Sequence, residues 1–176
     1  MLLLDWLGGP GALPRGAHIS TDVQYFGDGP VLLAPYVRVD TGCVLTGMIH
    51  LGHHTHIAPY CLLYGKAGIT IDEYANVGAF GVIHTESEDF TGQFPMGPWW
   101  PEEVRRPERV PVRVDARATI GTRCTLLPGA GMGEGSILGA HSLLKRRVPE
   151  NEVWAGTPAH FKRFASVGQF QHHLPT

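Results

Sequence analysis

Val114-Asp115-Ala116-Arg117-Ala118-Thr119, Ile120-Gly121-Thr122-Arg123-Cys124-Thr125, Leu126-Leu127-Pro128-Gly129-Ala130-Gly131, Met132-Gly133-Glu134-Gly135-Ser136-Ile137 and Leu138-Gly139-Ala140-His141-Ser142-Leu143 follow one another without a gap. Each is six residues long and opens on an apolar residue. Upstream, the same count places Leu33, Val39, Leu45, Leu51, Ile57 and Leu63, then Ile71, Val77 and Ile83; downstream it ends on Leu144. Four positions after each opener stands a compact residue: Val37, Cys43, Ile49, Thr55, Cys61, Ala67, Ala75, Gly81, Ser87, Ala118, Cys124, Ala130, Ser136, Ser142 and Val148. Only Ile49 strains that rule. Apolar residues make up 43% of the chain, so chance fills fifteen openers with odds on the order of one in 10^5 to 10^6.

A period of six is neither helical nor a sustained strand alternation. It fits short extended segments joined by bends, with Gly, Asp and Asn tolerating the backbone angles required. Three units make a triangular coil of eighteen residues, and coils stack at a strand spacing of roughly 4.8 Å. The openers then point inward as ladders, and the compact residues fit the corners. This predicts an all-β parallel β-helix of about five to six coils over 30–149, with 17–32, including Ile19 and Val23, as a ragged first coil.

The openers, the fifth positions and segments such as Ile120-Gly121, Met132-Gly133-Glu134-Gly135 and Leu138-Gly139-Ala140 resemble the bacterial transferase hexapeptide family. The resemblance covers roughly residues 30–163. It implies a left-handed helix and a short C-terminal helix after the last coil. It also implies a homotrimer, and acetyl-CoA as co-substrate in acyl transfer to a sugar. Two other classes share the fold, non-catalytic trimeric scaffolds and γ-class carbonic anhydrases. The latter hold zinc through a His-x4-His pair and a third histidine. No five-residue step occurs among His50, His53, His54, His56 and His84, so no metal site is expected.

With 176 residues, the chain reads as one domain: an N-terminal segment to residue 29, the repeat, and a tail over 150–176. A net charge of −2 without a basic run argues against nucleic acid as a partner. No stretch is long and apolar enough to span a membrane, and Met1-Leu2-Leu3-Leu4-Asp5-Trp6-Leu7 is short for a signal peptide; the reading is cytoplasmic. Cys43, Cys61 and Cys124 occupy compact positions on one side of the triangle and read as core fillers.

Recognition belongs where the repeat breaks. A two-residue excess at Gly68-Ile69-Thr70 is minor. The large break is a loop over 89–113 carrying Phe90, Phe94, Trp99, Trp100 and several prolines, and a loop of that length is usually functional. His84, one step after an opener at the foot of the loop, is the expected general base, because imidazole titrates near working pH. Glu88 and Asp89 would orient it, bind sugar hydroxyls, or replace it as base. His56 and Tyr60 are expected to touch the acceptor, with His56 an alternative base, and Trp99 or Trp100 to stack on a sugar ring. Ser87-Glu88-Asp89-Phe90-Thr91-Gly92 and Tyr60-Cys61-Leu62-Leu63-Tyr64-Gly65 resemble a branch of the family that reads Ser-Asp-Asp-Tyr-Ser-Gly at the first segment. That branch often carries tyrosine at the place of His84.

The tail Val153-Trp154-Ala155-Gly156-Thr157-Pro158-Ala159 resembles the family's closing motif. Position by position, Thr122, Ala140, Lys145, Arg146, His160 and Arg163 fall where relatives contact the cofactor, and cations there suit its phosphates. The resemblance favours O-acetylation of a sugar hydroxyl, with N-acylation of a nucleotide-linked amino sugar as the alternative.

Overall fold

The computed structural model describes residues 13–27 and 29–166; the N-terminal Met1–Leu7 segment lies outside them. The chain winds as a left-handed parallel β-helix of about seven turns. One face of the prism stacks β1 (His18–Ile19), β4 (Arg38–Val39), β6 (His56–Ile57), β8 (Asn76–Val77), β13 (Thr119–Ile120), β16 (Ile137–Leu138) and β19 (Glu152–Gly156). A second face stacks β2 (Gln24–Phe26), the first half of β5 (Val44–Leu51), the first half of β7 (Leu62–Ile71), β9 (Val82–His84), β14 (Thr125–Leu126) and β17 (Leu143–Leu144). The third comprises β3 (Val31–Leu33), the later halves of β5 and β7, β12 (Val112–Val114), β15 (Gly131–Met132) and β18 (Arg147–Val148).

Strand register matches the six-residue phase. Ile19, Val39, Ile57, Val77, Ile120, Leu138 and Trp154 pair rung by rung on the first face. Tyr25, Leu45, Leu63, Ile83, Leu126 and Leu144 do so on the second. Leu33, Leu51, Ile71, Val114, Met132 and Val148 form the third ladder. Every predicted opener is buried except Leu33, which packs half-buried against the others. The end turns extend the stack beyond the expected five to six because Tyr25 and Trp154 fill opener positions with aromatic rings. Ile49 is explained too. β5 and β7 run through the third corner, and Ile49 pairs with Val31 and Ile69 as an additional inward rung.

Two corners hold their residue in the left-handed region. The expectation of Gly, Asp or Asn at the bends holds there only in part: one corner carries Gly16, Gly135 and Asn151 but also Tyr36, His54, Tyr74 and Arg117, and the other Gly42 but also Tyr60, Phe80, Arg123 and His141, all at positive φ. A non-glycine residue in this region costs roughly 1–2 kcal/mol. Stacking offsets it, with Tyr36–His54 and His54–Tyr74 ring centroids 4.7 and 4.9 Å apart and nearly parallel. Gly121 is needed for space: a Cβ there would lie 2.6 Å from the backbone nitrogen of Ala140 in the next coil.

After the last coil the described residues hold no helix. β20 (Ala159–Phe164) instead turns back antiparallel on β19 and covers the final strand edge; 167–176 lie outside the described residues. The three cysteines are free and buried, and the Cys43, Cys61 and Cys124 sulfurs lie 3.2, 3.3 and 3.1 Å from backbone carbonyl oxygens.

Candidate active site

Leaving the fourth turn, the chain alternates inward and outward at the foot of the loop. Ile83 points into the core, His84 points out, and Thr85 is again fully buried. Thr85 ties the loop's base to the coil below, donating to the Tyr64 carbonyl at 2.8 Å and accepting from the Ala67 amide at 2.9 Å. The excursion starts earlier than the break in the repeat indicated: β10 (Glu86–Ser87) and β11 (Glu108–Arg109) pair antiparallel at its root. Glu86 lies opposite Arg109 in that register and ion-pairs with it; Arg109 also bonds Glu102 on α1 (Glu102–Arg105).

His84 lines an open cleft of about 360 Å³ together with Thr46, Tyr64, Lys66 and Glu86. Its ring lies on that of Tyr64, centroids 5.0 Å apart and 16° from parallel. The contact follows from register, since Tyr64 and His84 are directly paired on β7 and β9. Burial lowers the pKa of His84 below the ordinary imidazole value, so the neutral form that can accept a proton is favoured.

Glu88 and Asp89 line an adjoining cavity of about 500 Å³ with Phe90, Phe94, Arg106 and Glu108. Asp89 organises the loop. Its Oδ1 accepts from the Thr91 amide and hydroxyl at 2.8 and 2.6 Å, and its Oδ2 from the Gln93 and Phe94 amides at 3.0 and 2.9 Å. The Thr91 hydroxyl, then the amides, hold its carboxyl below the usual range. Glu88 is ion-paired to Arg105 through one oxygen, and its other oxygen is buried without a hydrogen-bond partner. Trp99 and Trp100 line neither cavity, and Trp99 is 93% exposed.

His56 and Tyr60 lie elsewhere within the chain. His56 faces outward on the first face, where Nε2 donates to Asp40 Oδ2 at 2.8 Å; Arg38 holds the other oxygen at 2.7 Å. Burial alone would raise the Asp40 carboxyl, but the His56 and Arg38 hydrogen bonds outweigh it and the pKa is lowered. Tyr60 is a corner residue stacked on Phe80 at 5.2 Å. The histidine-rich segment therefore spreads over different faces and corners, and among the described residues no three His, Cys, Asp or Glu converge on a metal position.

The residues carried over for the cofactor form two groups. Thr122 and Ala140 sit at one corner, the Thr122 hydroxyl donating to the Ala79 carbonyl at 2.7 Å. Lys145 and Arg146 follow β17, and Arg146 lies over the Trp154 ring at 4.9 Å. His160 and Arg163 project from the terminal hairpin; His160 Nδ1 donates to the Pro158 carbonyl at 3.2 Å and Nε2 accepts from Lys162 at 2.8 Å. Tyr64, Lys66, Glu86, Arg109 and Asp40 were not anticipated. For Tyr64 the signal was available: the opener ladder steps twenty residues here, from Leu63 to Ile83, which puts Tyr64 under His84, and Lys66 and Glu86 line the same cleft two residues further along the chain.

No protein-family model matches the chain. Comparison with individual proteins is informative. Over 148 residues it is 29% identical to a dTDP-4-amino-4,6-dideoxy-D-glucose acyltransferase of Escherichia coli, spanning 82% of this chain and 77% of that protein. It is also 29% identical to a candidate O-acetyl transferase of lipopolysaccharide biosynthesis from Escherichia coli K12, over 64% of this chain and 59% of the relative. Among solved structures, the Bacillus cereus N-acyltransferase AntD, crystallised with dTDP and 3-hydroxybutyryl-CoA, superposes with a TM-score of 0.83. The identity is 26%, covering 87% of this chain and 82% of that one. By sequence the chain is thus similar to acyltransferases that act on sugars. AntD shares the prism of coils described above. Among the described residues no helix is long and apolar enough to cross a membrane.

Proposed function

We propose that this chain transfers an acyl group from a coenzyme A thioester to an amino sugar carried on a nucleotide, as a homotrimer. The observation that carries the reading is the His84 cleft at the foot of the loop. There a half-buried imidazole with a lowered proton affinity stands beside Lys66 and the Glu86–Arg109 pair. The sequence taken alone put a sugar hydroxyl first. The longer likenesses, to an acyltransferase of a dTDP-linked amino sugar and to AntD, weigh toward an amine. O-acetylation is the second reading, supported by the likeness to the lipopolysaccharide O-acetyl transferase.

In the proposed step the acceptor nitrogen attacks the thioester carbonyl while His84 Nε2 or Nδ1 takes its proton. The C–N bond forms, the carbonyl electrons move to an oxyanion held by backbone amides, and collapse breaks the C–S bond. CoA leaves as the thiolate and is reprotonated. Asp89, with four hydrogen bonds accepted, serves this step by shaping the loop; Glu88 reaches the neighbouring cavity.

Incubating the protein with acetyl-CoA and either dTDP-4-amino-4,6-dideoxyglucose or the corresponding 4-hydroxy sugar nucleotide tests this, with mass spectrometry of the product. The amine should gain one acetyl group as an amide stable to hydroxylamine. An ester cleaved by hydroxylamine would move the reading to O-acetylation, and no thiol release with either acceptor would overturn both.

A second expectation concerns the cofactor. CoA should raise the melting temperature, and Lys145→Ala with Arg146→Ala should shrink that rise, each tenfold loss in affinity removing about 1.4 kcal/mol of binding free energy. The difference between free and CoA-bound protein is the readout, because Arg146 also rests on Trp154.

A further inference from the structure

We propose that Tyr64 is a positioning residue for His84, its ring fixing the plane of the imidazole and shielding one of its faces from water. The proposal rests on the role of His84 stated above. A catalytic histidine is ordinarily aimed by a hydrogen bond from its second ring nitrogen. Among the described residues the one histidine given such a carboxylate is His56, through Asp40, whereas His84 has no hydrogen-bond partner for either nitrogen in the structure. What holds it is the parallel contact with Tyr64 at 5.0 Å.

That contact is built in. Tyr64 and His84 are direct register partners, and on either side of them the backbone is pinned: Leu63 and Ile83 are fully buried, and Thr85 is bonded to the Tyr64 carbonyl. Neither ring can slide along its strand. His84 lines the cleft and neither nitrogen is tied to a described residue, which is what a base that must meet an incoming proton requires. The charged groups facing His84 are few. β7 brings Tyr64 and Lys66, and the loop root brings Glu86, neutralised by Arg109, which Glu102 also holds. β5 contributes Thr46, which does not titrate, and β14, whose Thr125 and Leu126 pair with Val82 and Ile83, brings no residue to the cleft. With Lys66 and the Glu86–Arg109 pair balanced around it, the ring's low proton affinity comes from burial, and Tyr64 supplies one wall of that burial.

Tyr64→Ala should expose His84 and free its ring; Tyr64→Phe should leave both unchanged; Tyr64→Leu, which keeps bulk without a flat face, guards against a variant that fails to fold. Two readouts are needed. NMR titration of the His84 imidazole in the unliganded protein should give an ordinary-range pKa for Ala and an intermediate one for Leu, with Phe matching the parent. The acid limb of the pH–rate profile should move to higher pH in the same order, with kcat falling on the order of tenfold for Ala through lost orientation and KM for acetyl-CoA unmoved. An unshifted His84 titration and undiminished kcat in both Ala and Leu variants would overturn the proposal. Failure of the base assignment is distinguishable: His84→Ala would then retain turnover, while the titration still reports whether Tyr64 sets the imidazole's environment.

Discussion

Replacing His84 by Ala should lower kcat by a factor of about 10^2 to 10^4, the usual worth of a positioned general base, or roughly 3–5 kcal/mol of transition-state stabilisation. KM for acetyl-CoA should hardly move, because the residues proposed for the cofactor lie at the Thr122 corner and the basic tail. The pH profile checks the same claim. Catalysis needs the neutral imidazole, and burial sets the His84 pKa below its ordinary value. The rate should therefore stay on its plateau down to pH values where a free histidine would already be half protonated, and fall only below. The same burial makes an unfolded chain bind more protons than the folded one in that window, so stability should also decline as pH falls through it. His56→Ala should behave differently, raising KM for the acceptor with little loss in kcat, since His56 sits on another face held by Asp40. Exchanged phenotypes would make the His56–Asp40 pair the base. If neither variant lost tenfold in turnover, the proton would have to go to Glu88, which has one oxygen free of Arg105.

What the sequence revealed, and what it hid, divides along one physical line. The core was legible because a repeat of six leaves no freedom in which residues point inward: from Val39 to Leu144 the aliphatic phase gives the buried ladders directly. It faltered at Tyr25 and Trp154, where an aromatic ring performs the same task at the ends of the stack. The position of the loop was legible too, because an interruption of a periodic structure is visible without any knowledge of its fold. Partners across coils were harder. Asp40 meets His56 from a position sixteen residues away, and Arg109 meets Glu86 across the whole loop. Such pairings depend on register and on how the loop closes, neither of which periodicity supplies. The corner ladders were only partly legible for a related reason. Gly, Asp and Asn are what an isolated bend prefers, but a stacked corner can keep Tyr36, His54 and Tyr74 at positive φ because each ring rests on the next.

The repeat's phase yields the second large effect, on stability. Leu62 and Leu63 are neighbours of identical chemistry, and only the six-residue count distinguishes them. Leu63 is fully buried between Leu45 and Ile83, whereas Leu62 faces outward, half-exposed, between Val44 and Val82. Leu63→Ala should remove about 2–5 kcal/mol, the transfer cost of the lost atoms plus the cavity they leave in a rigid stack. Leu62→Ala should cost about 1 kcal/mol or less, the range of partly exposed positions. Urea denaturation followed by circular dichroism measures both, and the slope should be shared if the unfolded states are alike. The cavity should be poorly repaired. Each rung of a β-helix is tied to the rungs above and below by backbone hydrogen bonds, as where the Leu62 amide donates to the Gly81 carbonyl at 2.9 Å. A coil cannot settle into the space without breaking that ladder. Equal losses for the two variants would mean that the strand's inward and outward faces are not those the repeat assigns. That outcome would also displace Tyr64 and His84 from the outward row on which the proposed chemistry depends, because both follow an inward opener by one residue.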